Sequence, residues 1–214
     1  MSRTQLTSVI FILVLFLSPI YGYFEYMQLV LQWPRAFCHI KRCKTTPNNF
    51  TIHGLWPDNY STMLNFCTDD AFDKFTDDTK KNNLYERWPD LITEEADCLK
   101  NQAFWGNEYE KHGTCCLNSY NQHQYFDLAM DLKDRFDLLK SFRNHGIIPG
   151  TRHSVQKINN TVKAITQGFP NLACTKTMEL LEIGICFDQT AKKVINCPHP
   201  KTCKPTGQKG IMFP

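Results

Sequence analysis

Phe24-Glu25-Tyr26-Met27-Gln28-Leu29-Val30-Leu31-Gln32-Trp33-Pro34 is the stretch from which the fold can be read. Met27, Leu29, Leu31 and Trp33 alternate with Tyr26, Gln28, Val30 and Gln32, the period of a half-buried strand, and Pro34 ends it. Further along, Phe50-Thr51-Ile52-His53 repeats the pattern, with Phe50 and Ile52 on one face and Thr51 and His53 on the other, before Gly54 and Pro57 break it. Such a strand delivers His53 to an open face. Near the other end, Leu181, Ile183, Ile185 and Phe187 alternate through a central strand. Between these strands the period changes to that of a helix. Tyr125, Leu128, Ala129, Leu132, Phe136, Leu139 and Phe142 form one apolar stripe opposed by Asp127, Asp131, Asp134 and Arg135, which predicts a long helix after Asn121, stopped by Gly146 and Pro149. A second helix starts near Ser154, stacks Val155, Ile158, Val162 and Ile165, and ends before Gly168 and Pro170. Strands at both ends with helices gathered in the middle predict an α+β domain, a mainly antiparallel sheet packed against several helices. No internal repeat or linker interrupts it.

With 214 residues, 42% of them hydrophobic and 13% aromatic, the chain can fill a core, which excludes disorder. Arg3 precedes an apolar run from Val9 to Leu17, followed by Ser18, Pro19 and Gly22, the pattern of a signal peptide over residues 1–22. The run is shorter than the roughly 20 residues that span a bilayer, and no later segment qualifies, so the expected product is a secreted, soluble single domain over residues 23–214 without membrane insertion. Ten cysteines, all beyond the signal segment, fit folding in an oxidising compartment better than metal binding. Cys115 and Cys116 are neighbours and point in different directions, so they take different partners or one stays a thiol. Sequons at Asn49, Asn59 and Asn159 predict a glycoprotein. The formal charge of +3, or +2 once Arg3 is set aside, excludes a polycationic nucleic-acid clamp, so any RNA binding is local.

Two segments concentrate the chemistry: Ile52-His53-Gly54-Leu55-Trp56-Pro57 and Glu108-Tyr109-Glu110-Lys111-His112-Gly113-Thr114-Cys115. Each sets a histidine beside a glycine, where backbone can approach a ligand closely. If the second is helical up to Gly113, Glu108 and His112 share a face, with Lys111 one step around. An imidazole, with a pKa near 6.5, both accepts and donates a proton around neutral pH. Two imidazoles with an ammonium suffice for a cyclising transphosphorylation, without metal or other cofactor.

The two segments resemble the two active-site signatures of the ribonuclease T2 family, and the resemblance runs from about Tyr23 to Pro214, in particular to the S-RNases of the nightshade family. It implies that His53 is the general acid for the leaving 5′ oxygen and His112 the base for the ribose 2′-hydroxyl, with Glu108 and Lys111 flanking the phosphate of a single-stranded RNA substrate. Trp56, Phe104 and Trp105 are candidate base-stacking residues, and Gln32, Asp90 and Leu91 candidate base-edge contacts. For Trp56 and Trp105 a place in the core is an equal alternative. The resemblance further implies disulfides Cys38–Cys43, Cys67–Cys115, Cys174–Cys203 and Cys186–Cys197, leaving Cys98 and Cys116 open. It also implies a monomer acting in the style, taken up by pollen tubes and met there by pollen F-box proteins. The segments Asp69–Lys81 and Leu117–Gln124 correspond to allele-variable regions in that family. One departure stands before Glu108, where many members carry a third histidine and this chain has Asn107. Two other readings compete. One is a recognition glycoprotein whose site has lapsed, against which His53, Lys111 and His112 stand together. The other is a phosphate-scavenging relative, against which the pI of 8.3 leans.

Overall fold

The computed structural model describes residues 24–199, Cys203 and residues 210–214. The signal segment and most of the Pro- and Lys-rich tail lie outside them. In chain order the elements are β1 (Tyr26–Gln32), α1 (Pro34–Ile40), β2 (Thr51–Asp58), α2 (Asp78–Arg87), α3 (Glu95–Asn101), α4 (Ala103–Lys111), a 3-10 turn (Gly113–Cys116), α5 (Gln122–Asp134), α6 (Leu138–Asn144), β3 (Thr151–His153), α7 (Val155–Thr166), β4 (Asn171–Cys174), β5 (Leu180–Asp188), β6 (Val194–Ile195) and β7 (Ile211–Phe213).

The main sheet is antiparallel in the order β2-β1-β5-β4, with β6 also paired to β5; β3 and β7 form a separate ribbon. The β1 strand is buried on both faces rather than one. Met27, Leu29 and Leu31 enter the main core with Trp33, Ile52, Leu55, Ile183 and Ile185. On the opposite face, Tyr26 packs against Cys186 and Cys197. Helix α5 seals the first face through Tyr125 and Phe126, and the buried Tyr125 hydroxyl donates to the Leu55 carbonyl at 2.8 Å. A hydroxyl so deep would be costly without that acceptor.

Several expectations change in detail. Pro34 ends the strand but also opens α1, where its missing N–H costs nothing because the first helical turn leaves that donor unused. Gly54 and Pro57 do not break β2, which runs on to Asp58. As the sheet's outer strand, β2 tolerates a proline without an N–H to donate. The predicted long helix divides into α5 and α6, because the Asp137 side chain accepts from the Lys140 N–H and starts a new helix. Helix α7 begins as expected, with Ser154 accepting from the Lys157 N–H. All four expected disulfides are present, and Cys98 and Cys116 are buried thiols, so the adjacent pair resolves into one bridged cysteine and one free.

Candidate active site

Opposite Val30 and Leu31 of β1, strand β2 carries one residue too many: Val30 pairs with Gly54 and Leu31 with Ile52, leaving His53 as the extra residue of a β-bulge. A bulge turns its side chain away from the regular alternation, and the indole of Trp88 donates to the freed His53 carbonyl at 2.8 Å. Trp88 is held in turn by its own carbonyl, which accepts from the Trp105 indole at 2.7 Å. The bulge is thus anchored to the core from the loop that precedes α3 and from α4.

Helix α4 supplies the second half. It leaves α3 through Gln102, whose left-handed backbone (φ 54°) makes the corner and whose buried amide exchanges hydrogen bonds with both backbone groups of Phe75. Over the following turns Glu108 and Lys111 project from the helix, and His112 closes it, its N–H bonded to the Glu108 carbonyl at 2.9 Å. The two histidines are bridged by aromatic contact. The Trp56 ring lies 5.0 Å from His112 in a stacked arrangement and 5.4 Å from His53 edge-on. Its indole donates to Glu108 Oε2 at 3.1 Å.

Gly54 makes this convergence possible. A Cβ there would stand 2.2 Å from Glu108 Oε2 and 2.2 Å from the Trp56 indole nitrogen. Gly54→Ala is therefore expected to push both groups aside and to lower kcat/KM by about 10²-fold, the order set by displacements near 1 Å, with a much smaller loss of thermal stability. Steady-state kinetics beside a melting curve would check it, and unchanged kinetics would contradict the close packing.

The environments of the two histidines are opposed. For His53, burial disfavours the cation, but the hydrogen bond to Glu182 (Nδ1 to Oε1, 2.7 Å), the charge of Glu182 and that of Glu108, 4.0 Å away, outweigh it and hold the pKa above the ordinary value. For His112, burial, helped by the charges of Lys111 and His53, pushes the pKa down to about 3. Its Nδ1 is buried with no hydrogen-bond partner among the described residues. Burial also raises the Glu108 carboxyl, against the opposing pull of His53, the Trp56 indole and Lys111.

Two cavities flank this pair. One, of about 240 Å³, adjoins His53 and is lined by Gln32, Asp90, Leu91, Phe104 and Asn107 among others, so four residues expected from the sequence to meet a base do share one pocket. Asp90 spends its oxygens on the Ile92 N–H and the Thr93 hydroxyl, shaping the wall. The other, of about 410 Å³, adjoins His112 and Lys111 and is lined by Trp56, Tyr26, Gln28 and Asn171. Trp105 is a correction to the stacking set: it is fully buried, its indole is engaged by Trp88, and it cannot face a base. Sequence reasoning missed Glu182, the partner that favours the charged form of His53. The signal was positional: Gln32 pairs with Thr51 on one side and Glu182 on the other, which sets a carboxylate across β1 from the bulge.

A five-stranded antiparallel sheet against helices, four disulfides and a cleft joining two histidines, a lysine and a glutamate define a nuclease of known type. The Ribonuclease T2 family profile matches residues 24–197, and the chain belongs to that family of enzymes. Within it, the chain is 66% identical over 218 residues to Ribonuclease S-7 of Nicotiana alata, covering 100% of both chains. Among solved structures it is similar to the gametophytic self-incompatibility associated SF11-RNase of Nicotiana alata, with TM-score 0.82 and 43% identity over 85% of this chain and 95% of that one. It is also similar to an RNase MC1 variant in complex with 5′-UMP, with TM-score 0.73 and 33% identity over 83% and 94% of the two chains.

Proposed function

We propose that this ribonuclease cuts single-stranded RNA internally by two-histidine transphosphorylation, and the observation that carries the reading is the opposed surroundings of the two histidines in one cleft, His53 bonded to Glu182 and His112 buried beside Lys111. Two titratable groups whose surroundings drive their pKa values apart divide the roles of acid and base between them. His112, kept neutral, takes the proton of the ribose 2′-hydroxyl. The 2′ oxygen attacks phosphorus, the bond to the 5′ oxygen breaks, and His53 gives its proton to that leaving oxygen, producing a 2′,3′-cyclic phosphate. Lys111, exposed at the cavity edge, offsets the charge that grows on the phosphate oxygens. Glu108, held by the Trp56 indole and 4.0 Å from His53, helps keep the proton on His53 that the leaving oxygen takes. The nucleophile belongs to the substrate, so DNA is not cut. The two cavities would take the bases on either side of the cleaved bond, stacking on Trp56 and Phe104, and the nucleotide bound to the RNase MC1 variant supports a base site of this kind.

Incubating the mature protein with single-stranded RNA in EDTA tests the reading: 2′,3′-cyclic ends are expected, and an inert protein would sink the mechanism in favour of a recognition role. A pH profile tests the part of Glu182. Glu182→Gln removes the charge that raises His53, so the alkaline limb of kcat/KM, which follows loss of the His53 proton, should move to lower pH. An unmoved limb would separate Glu182 from the acid.

The biological setting we propose is that of the S-ribonucleases that match the chain end to end. The mature protein, a single domain over residues 23–214, is secreted in the style, enters pollen tubes and destroys the RNA of self pollen as a monomer. Four disulfides suit the secretory route, as does Asn49, which is exposed for glycan attachment, while Asn59 and Asn159 are half-buried. For pollen F-box proteins the segments 69–81 and 117–124 offer a continuous surface. The Asp73 N–H donates to Gln122 Oε1 and Gln122 Nε2 donates to the Asp73 carbonyl, joining the two segments side by side.

A further inference from the structure

Between Glu25 and Asp58 the chain carries no acidic residue, yet it holds Arg35, Lys41, Arg42 and Lys44. Three of these sit in or beside a short loop closed by the Cys38–Cys43 disulfide. The loop is fastened to the cavity that adjoins His53. The Lys41 N–H donates to the carbonyl of Phe37 (2.9 Å) and the Lys44 N–H to the carbonyl of Leu91 (2.8 Å), and Phe37 and Leu91 both line that cavity. Two of the four cations are already engaged: Lys44 pairs with Glu94 and Arg35 donates to Asn48. Lys41 and Arg42 are exposed and make no ion pair among the described residues. The nearby carboxylate of Glu179 is taken by His39. Ile92, which lines the cavity, is 49% exposed, and Ile40, next to Lys41 in the chain, is 53% exposed.

We infer that Lys41 and Arg42 form a phosphate-binding subsite for the RNA strand downstream of the cleaved bond. The inference rests on the proposed mechanism for its direction. The acid protonates the leaving 5′ oxygen, so the nucleoside released beside His53 is the one on the 3′ side of the cut. Its base fills the cavity of Gln32, Leu91 and Phe104, and the next phosphate along the strand emerges over Phe37 and Ile92, at the rim where the two unpaired cations stand. A disulfide-closed loop keeps them there at little entropic cost on binding. A chain of such low net charge would thereby concentrate its attraction for RNA along the exit path of the strand, where it adds grip on polymers and none on dinucleotides.

The double variant Lys41→Ala/Arg42→Ala is compared with wild type on a dinucleotide, on the same dinucleotide extended by two nucleotides on the 3′ side, and on one extended equally on the 5′ side. Wild type should gain on the order of fivefold in kcat/KM from the 3′ extension. The double variant should lose that gain while matching wild type on the dinucleotide and on the 5′ extension. On the 3′-extended substrate the dependence of log kcat/KM on log salt should also flatten by about 0.7 for each phosphate that the variant no longer neutralises. Lys41→Arg/Arg42→Lys, which keeps both charges, should restore the gain. Binding of 2′-O-methyl oligonucleotides of the same lengths gives the same comparison without cleavage, so a failure of the proposed chemistry remains distinguishable from a failure of the subsite. Absence of any 3′ gain in wild type, its survival in the double variant, or equal losses on all substrates would overturn the assignment.

Discussion

Replacing His112 with alanine should lower kcat/KM on single-stranded RNA by about 10²- to 10⁴-fold, the usual worth of a positioned proton acceptor. The loss should persist whatever leaving group the substrate carries, because the 2′-hydroxyl must still be deprotonated. Replacing His53 with alanine should cause a loss of the same order on RNA, but a 3′-phosphodiester whose leaving group is a phenol of low pKa needs no proton there and should recover much of it. The two variants therefore separate on leaving-group dependence, measured by cleavage of the two substrate types side by side. Equal recovery in both, or recovery in the His112 variant only, would reverse or remove the assigned roles. His53 is partly exposed, whereas His112 is buried and stacked on Trp56, so a melting curve beside the kinetics separates lost chemistry from lost folding.

Trp105→Ala carries the largest expected cost in stability. The side chain is wholly inaccessible, and its deletion leaves a cavity worth about 3–5 kcal/mol for a large aromatic. It also strips the Trp88 carbonyl of its donor. That loss propagates to the site, because Trp88 holds the carbonyl of the bulged His53. Chemical denaturation should show the destabilisation, and the surviving folded fraction should cleave RNA poorly. Trp56→Ala should do the opposite, weakening substrate use with a small change in stability, since Trp56 is half-buried beside a cavity. Undiminished stability in Trp105→Ala with a raised KM alone would return Trp105 to the surface.

Both strands that matter most were legible because their apolar residues alternate, and the fold class followed from where strands and helices fall along the chain. The four short helices α1, α2, α3 and α6 were harder to see. Helix α1 hides behind a proline that reads as a stop, and α6 hides inside a stripe that continues across Asp137 without a break in period. The strand beyond Gly54 and Pro57 was obscured because both residues usually interrupt pairing, whereas an outer strand has no second neighbour to satisfy. At the site, His53, Glu108, Lys111 and His112 came from local motifs; the helix that carries Glu108 and Lys111 ends at Lys111 rather than Gly113, with His112 as its cap. Glu182 is 129 residues from His53 and becomes its neighbour only through the register of β5 on β1. Such a contact has no local signature. Trp105 was ambiguous for a different reason: an indole serves a core and a base equally well, and only its burial separates the two.

The central claim is that one cleft favours the charged form of one imidazole and the neutral form of the other, and a titration of the histidine ring resonances by NMR in the mature protein tests it most directly. His53 should titrate above 6.5, and His112 should stay neutral through the mildly acid range, giving way only towards a pKa of about 3. Two rings titrating together near 6.5, or His112 taking its proton before His53 as the pH falls, would contradict the division of acid from base on which the mechanism stands.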